Sequence, residues 1–119
     1  MNDYKNNSEI FESVYKICEE DDMIIAIVGS SKYKDLILEV GKIFNLGGHM
    51  AIHSDVFSHA DNFEISEDQV QICIKNGHDR INIADMVFVI NIDKYIGDST
   101  KEEIEYAVSN NKRVEYLVY

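Results

Sequence analysis

Two short apolar runs constrain the fold of this chain more than any other feature. Met23-Ile-Ile-Ala-Ile-Val28 is the longest uninterrupted run, and Asp85-Met-Val-Phe-Val-Ile-Asn-Ile92 is nearly as apolar. Both are rich in β-branched residues and far shorter than the ~18 residues a membrane span requires. A strand with one wet face alternates polar and apolar residues. A run without alternation needs cover on both faces, as in the middle of a parallel sheet.

The intervening segments supply that cover. Ser8 to Glu20 carries apolar residues at 10, 11, 14, 15, 17 and 18, the spacing of a helix behind a Ser cap. Tyr33 to Leu46 repeats apolar residues at 33, 36, 37, 40, 43 and 44 and stops at Gly47-Gly48, a glycine C-cap. His49 to His53 reads as a short second strand and Ser54 to Ile65 as a polar loop. Ser66-Glu67-Asp68-Gln69 has the spacing of a capping box that opens the next helix. Ser99-Thr100-Lys101-Glu102 has it again, before a helix running to about Asn110, and Val114 to Val118 closes as a fourth strand.

Alternating strands and helices with apolar strands imply an α/β fold: one doubly wound, flavodoxin- or Rossmann-like parallel sheet of about four strands. Right-handed crossovers favour the order 2-1-3-4. Residues 1–22 then form an N-terminal helical extension and residues 23–119 the α/β domain. Ligands in such sheets bind at the carboxyl ends of the strands where the order reverses. That places a site between the loop after Val28 and the loop after Ile92.

Charge narrows the partners. Eleven Lys and Arg stand against 22 Asp and Glu, a formal net charge of −11, and only Arg80 and Arg113 are arginines. With no basic stripe, neither a nucleic-acid duplex nor an anionic membrane is a fitting partner. No apolar segment follows the polar start Asn2-Asp3-Tyr4-Lys5, so no signal peptide is expected and the chain reads as cytoplasmic. Cys18 and Cys73 lack metal or redox spacing and read as reduced core residues. His49 and His53 share a strand face and precede Asp55, His59 and Asp61. A half-exposed edge strand accounts for them without a metal. No cofactor is implied.

The two loops carry the candidate chemistry. Gly29-Ser30-Ser31-Lys32-Tyr33 offers backbone N–H groups, two hydroxyls and a helix start, which suit an anion and equally suit a tight turn with a Ser cap. Tyr33 and Tyr95 flank the loops, where either can stack on a base, and His53 ends its strand beside them. Arg80 is a phosphate partner only if the end of its helix faces the site. In the second loop Glu102 is accounted for by the Ser99 capping box. Glu103 points toward the strand ends, where the helix start favours an ionised carboxylate and hence a nucleophile. All three glutamates, 102, 103 and 105, also simply suit a helix dipole.

The stretch from Ile81-Asn-Ile-Ala-Asp85 to Ile92, then Tyr95-Ile-Gly97-Asp98-Ser99-Thr100 and Glu103-Ile-Glu-Tyr-Ala107, together with Gly29-Ser30-Ser31, resembles the nucleoside 2-deoxyribosyltransferase superfamily, more closely its small bacterial and phage members. The resemblance spans about Ile24 to Leu117. It implies that Glu103 attacks an anomeric carbon to form a glycosyl-enzyme, and that water or a second base completes hydrolysis or transfer. It implies substrate contacts from Gly97, Ser99 and Thr100 and an anion pocket at Ser30 and Ser31. It also implies a homo-oligomer, a dimer or higher. One position departs from the pattern. The aspartate the family carries eight residues before the one opening the third strand falls on Gly77, and a one-residue slip brings His78 or Asp79 into its place.

Two functions are therefore expected. One is N-glycosidic bond cleavage or deoxyribosyl transfer on a nucleoside or nucleotide, with Glu103 catalytic and His78 or Asp79 as acid/base partner. The other is a non-catalytic nucleotide-binding protein, a sensor or sequestering module, for instance in phage–host conflict.

Overall fold

A computed structural model describes residues 8–92 and 95–118; Asp93 and Lys94 of the second loop, and the polar start 1–7, lie outside the described residues. Strands β1 (Ile24–Val28), β2 (Met50–Ile52), β3 (Met86–Val89) and β4 (Arg113–Tyr116) alternate with helices α1 (Glu12–Cys18), α2 (Lys34–Leu46), α3 (Glu67–Ile83) and α4 (Asp98–Ser109). The sheet is wholly parallel, in the order β2-β1-β3-β4. None of the described helices is long and apolar enough to cross a membrane.

The lack of alternation in the two central strands has a direct cause. Ile25, Ile27, Met86, Phe88 and Ile90 pack on one face with α1 and α2 residues Val14, Ile17, Leu36, Val40 and Phe44. Ala26, Val28, Val87 and Val89 pack on the other with Ile81 of α3 and Ala107 of α4. Successive side chains point to opposite faces, so both sets must be apolar. The α3/α4 face of these strands uses smaller residues, Ala and Val, than the Ile, Met and Phe of the other face. α1 belongs to the same core: Ser13 Oγ donates to Leu117 O at 3.0 Å, and Arg113 of β4 grips both oxygens of Glu20 at 2.7 and 2.8 Å.

Element ends follow local chemistry, with two departures from the expected caps. Ser66 forms its capping box: its Oγ accepts from Gln69 N and its own N–H donates to Gln69 Oε1 at 2.8 Å. α2 stops at Gly47, and Gly48 takes a φ of +100°, a left-handed conformation that glycine tolerates. The opening segment, by contrast, is a 3-10 turn over Ser8–Phe11 before α1, and α1 has no side-chain cap. The expected Ser99 box does not form either. α4 starts two residues earlier, at Asp98 with Gly97 as N-cap and no capping side chain, which puts Ser99 inside the helix and frees Glu102 for another partner.

His49 also differs from the expected half-exposed strand residue. It is buried just ahead of β2, accepting from Met23 N at Nδ1 (3.1 Å) and lying 3.0 Å from Ile17 O at Nε2. It joins α1, the start of β1 and the α2–β2 connection. Asp85 ties the amino ends of the central strands: its carboxylate accepts from Ile24 N at 2.8 Å, and its own N–H donates to Ile24 O at 2.8 Å.

At the opposite end the chains converge at Gly29. A Cβ there would sit 2.9 Å from Ile90 Cβ. Gly29→Ala should therefore force the carboxyl ends of β1 and β3 apart and cost about 1–3 kcal/mol in urea unfolding; an unchanged midpoint would show that the ends are not in close contact.

Candidate functional site

The order of the strands reverses between β1 and β3, and a cavity of about 450 Å³ opens at their carboxyl ends. Gly29, Ser30 and Ser31 form one wall, and Tyr95, Gly97, Asp98, Ser99, Glu102 and Glu103 form the facing one. Ser54, Val56, Ser58 and Ile65 of the long polar loop cover a third side. The fourth is α3, whose Val70, Cys73, Ile74 and Arg80 look inward. A smaller recess of about 50 Å³ continues from Arg80 and Glu103 toward His53 and Phe57. A hollow of about 460 Å³ between α1 and the residues after β3 and β4 is walled by Ile10, Ser13, Lys16, Ile92 and Val118; it gathers none of the residues singled out in the sequence.

The first loop is a compact turn. Ser30 Oγ accepts from Lys32 N at 3.4 Å and caps a 3-10 turn over Ser31–Tyr33 that leads into α2. Ser31 Oγ accepts from His59 N at 3.3 Å, and Lys34 Nζ pairs with Asp61 at 2.8 Å, so the polar loop is laced to the start of α2. Lys32 Nζ lies 3.6 Å from the centroid of the Tyr95 ring, and Tyr33 meets Tyr95 edge-on at 6.0 Å. These contacts join the two βα loops across the cavity mouth and orient Tyr95 toward it.

Glu103 sits where α4 crosses α3. Its carboxylate lies directly over Gly77, and a Cβ on Gly77 would overlap Glu103 Oε2. Arg80 Nη2 borders the same spot, 3.7 Å from where that Cβ would be. Glycine at 77 thus creates the room for a carboxyl between two packed helices.

Burial pushes the Glu103 carboxyl up from 4.5 to about 7; the charge of Arg80 pulls it down, neighbouring Glu102 pushes it up and His78 pulls it down. This reverses the expectation of a helix start holding the carboxylate ionised. α4 begins at Asp98, so Glu103 lies in its second turn, where the helix-end field has faded and desolvation dominates.

The other expected site residues divide clearly. Gly29, Ser30, Ser31, Tyr95, Gly97 and Ser99 line the cavity with Glu103, and His53 borders the small recess, with Nδ1 2.7 Å from Ser54 O. Tyr33 reaches the site only through Tyr95. Thr100 is buried in the first turn of α4 and is not part of the cavity wall. His78 and Asp79 do not line the cavity. His78 Nε2 lies 2.8 and 2.9 Å from the two Glu102 oxygens while its ring stacks on Tyr106 at 3.8 Å, and Asp79 is turned out to Lys75 at 2.7 Å.

Arg80 does face the site, the condition on which its role depended. Asp98 and Glu102 are wall residues that the sequence reading had not placed there. Val70, Cys73 and Ile74 are further wall residues, and these had a signal: with Gly77 and Ile81 they repeat at helical spacing and mark the inward stripe of α3. Comparison with family models, curated proteins and solved structures returns no match.

A carboxyl raised to about 7 weakens the fold when ionised. Below about pH 4 the group is protonated in folded and unfolded chains alike. As pH rises through 7 the stability it conserves is lost, up to about 3 kcal/mol. Glu103→Gln should therefore be more stable than wild type at pH 8, with the gain shrinking to nothing by about pH 4 in urea melts. A gain that does not vary with pH would contradict the burial of a titrating carboxyl.

Proposed function

We propose that this chain cleaves the N-glycosidic bond of a nucleoside or nucleotide, or transfers its glycosyl group, with Glu103 as the nucleophile. The observation that carries the reading is the seating of the Glu103 carboxyl over Gly77, beside Arg80, in a cavity whose opposite wall is Ser30 and Ser31. A carboxylate removed from water interacts strongly with positive charge developing at an anomeric carbon, because little solvent screens it.

In this reading a Glu103 oxygen bonds to the anomeric carbon as the bond to the base nitrogen breaks. The base leaves with the electron pair and takes up a proton from water. Water, or a second base, then attacks the same carbon and releases the carboxylate. Ser30, Ser31 and Arg80 offer donors to the sugar or a 5′-phosphate. Tyr95 and the Val56, Ile65, Val70 and Ile74 surface offer an apolar seat for the base. The protein's net charge of −11 repels an anionic ligand at long range, which leaves recognition to these local donors. The reading carries with it a cytoplasmic homo-oligomer acting on a small molecule, without metal or cofactor.

One observation favours the second reading, a nucleotide-binding module without turnover. The two residues expected to handle the proton, His78 and Asp79, do not line the cavity. Chromatography of a panel of nucleosides and their 5′-monophosphates separates the two. Cleavage predicts free base from wild type and at least a thousandfold loss, on the order expected for a nucleophile, in Glu103→Gln. Thermal stabilisation by a panel compound without base release, retained in Glu103→Gln, would establish the binding module instead.

The pH dependence has a definite sign. Only ionised Glu103 is a nucleophile, so kcat should fall about tenfold per pH unit below about pH 6 and level off above 7. A flat profile down to pH 5 would exclude this carboxylate as the attacking group.

A further inference from the structure

The α3–α4 seam holds a polar line beside the cavity that the proposed mechanism leaves unused. His78 faces Glu102 and stacks on Tyr106 with the rings 3° from parallel, and Tyr106 OH donates to Asn82 Oδ1 at 2.9 Å. His78 and Asn82 are four residues apart on α3, and Glu102 and Tyr106 are four apart on α4, so each helix contributes two successive rungs. The line runs directly beside the Gly77–Glu103 contact: Gly77 precedes His78, and Glu103 follows Glu102.

We propose that His78 is a positioning residue that acts on Glu103 through Glu102: its ring nitrogen holds the second carboxylate on the seam and locks the helix register that seats Glu103 over Gly77. The inference rests on the reading of Glu103 as the reacting group and gives His78 a task other than proton transfer to substrate.

The geometry supports each part. Both Glu102 oxygens lie within 2.9 Å of one nitrogen, an arrangement that fixes the carboxylate's plane. Side-chain exposure is 26% for His78 and 46% for Glu102, so His78 is largely covered on the seam while Glu102 is half exposed at the cavity edge. Two carboxylates on successive residues repel each other's ionised forms, and a Glu102 carboxylate released from its His78 contact would favour the protonated, inactive form of Glu103. Among the described residues, the charged groups acting on Glu103 are Arg80 and His78 from α3 and Glu102 from α4. Glu102 and Tyr106 of α4 contact His78, and no other described side chain is in hydrogen-bond or ring contact with it. Asp98 shares the cavity wall at the start of α4.

The test reads the Glu103 carboxyl directly, by ¹³C NMR titration of the full chain, and so does not depend on turnover. His78→Phe keeps a ring on Tyr106 but removes the partner of Glu102. It should raise the Glu103 midpoint by about half a pH unit or more. Glu102→Gln, at a half-exposed position that keeps the side-chain shape, should lower it. In the Glu102→Gln background, adding His78→Phe should produce less than half of its shift alone. A folded His78→Phe with an unmoved Glu103 midpoint would reduce His78 to a structural residue and overturn the proposal. A His78→Phe shift of full size in the Glu102→Gln background would overturn the route through Glu102. If His78→Phe does not fold, a Glu102→Gln midpoint that stays at or above the wild-type value overturns it as well. Where base release is observed, the acid limb of kcat should move with the NMR midpoint while KM changes less than about twofold.

Discussion

The pairing of β1 with β3, from Ile25 opposite Met86 to Val28 opposite Val89, is the contact on which the remaining geometry depends. It forces both strands to be apolar on both faces, which fixes where α1 and α2 lie and where α3 and α4 lie. It also brings the loop after Val28 beside the loop after β3, because the chain leaves these two strands in opposite directions across the sheet. Asp85 holds the pair in register at one end, and Gly29 permits their close approach at the other. The cavity is the space those departures leave, and its walls are therefore set by backbone topology before any side chain is chosen.

Within that frame, the carboxyl of Glu103 is a local conflict that the fold tolerates. An ordinary helix–helix crossing would place an apolar side chain over a glycine. Here an ionisable group occupies that position, with desolvation working against its charged form and Arg80 only partly offsetting it. A few kcal/mol of this kind is a large share of the stability of a small domain. Carboxyls raised by burial in a cavity, next to a specific cation, are concentrated at sites of chemistry or binding. Structural ion pairs in this protein look different: Arg113 with Glu20 and Lys75 with Asp79 are exposed and fully matched.

What could be read from the residue order alone was the architecture. Unbroken apolar runs, glycine stops and one true capping box were enough to give a parallel sheet in the order 2-1-3-4 with the site at the reversal. The errors have physical origins. Ser99 through Glu102 has the spacing of a capping box, but spacing does not reveal where a helix begins. With Gly97 already at the cap, Glu102 was free to turn to His78. Likewise His78 and Asp79 adjoin the position that faces Glu103, yet a helix advances about 100° per residue, so neighbours of Gly77 necessarily point elsewhere. Gly77 itself proved to be the residue at that position, acting through its missing side chain. His49 was misread because a buried histidine between two backbone partners leaves no periodic trace. Arg80 required the helix to be placed before its direction could be known.

The account stands or falls on whether the Glu103 carboxylate becomes bonded to sugar. Acid-quenched turnover, with mass spectrometry of the digested chain, measures this directly, using a nucleoside whose sugar carries fluorine at the 2′ carbon to slow the second step. The expected result is one added glycosyl group on the peptide that contains Glu103, absent from Glu103→Gln. Base release with the sugar attached to any other residue, or with no protein adduct at all, would contradict it.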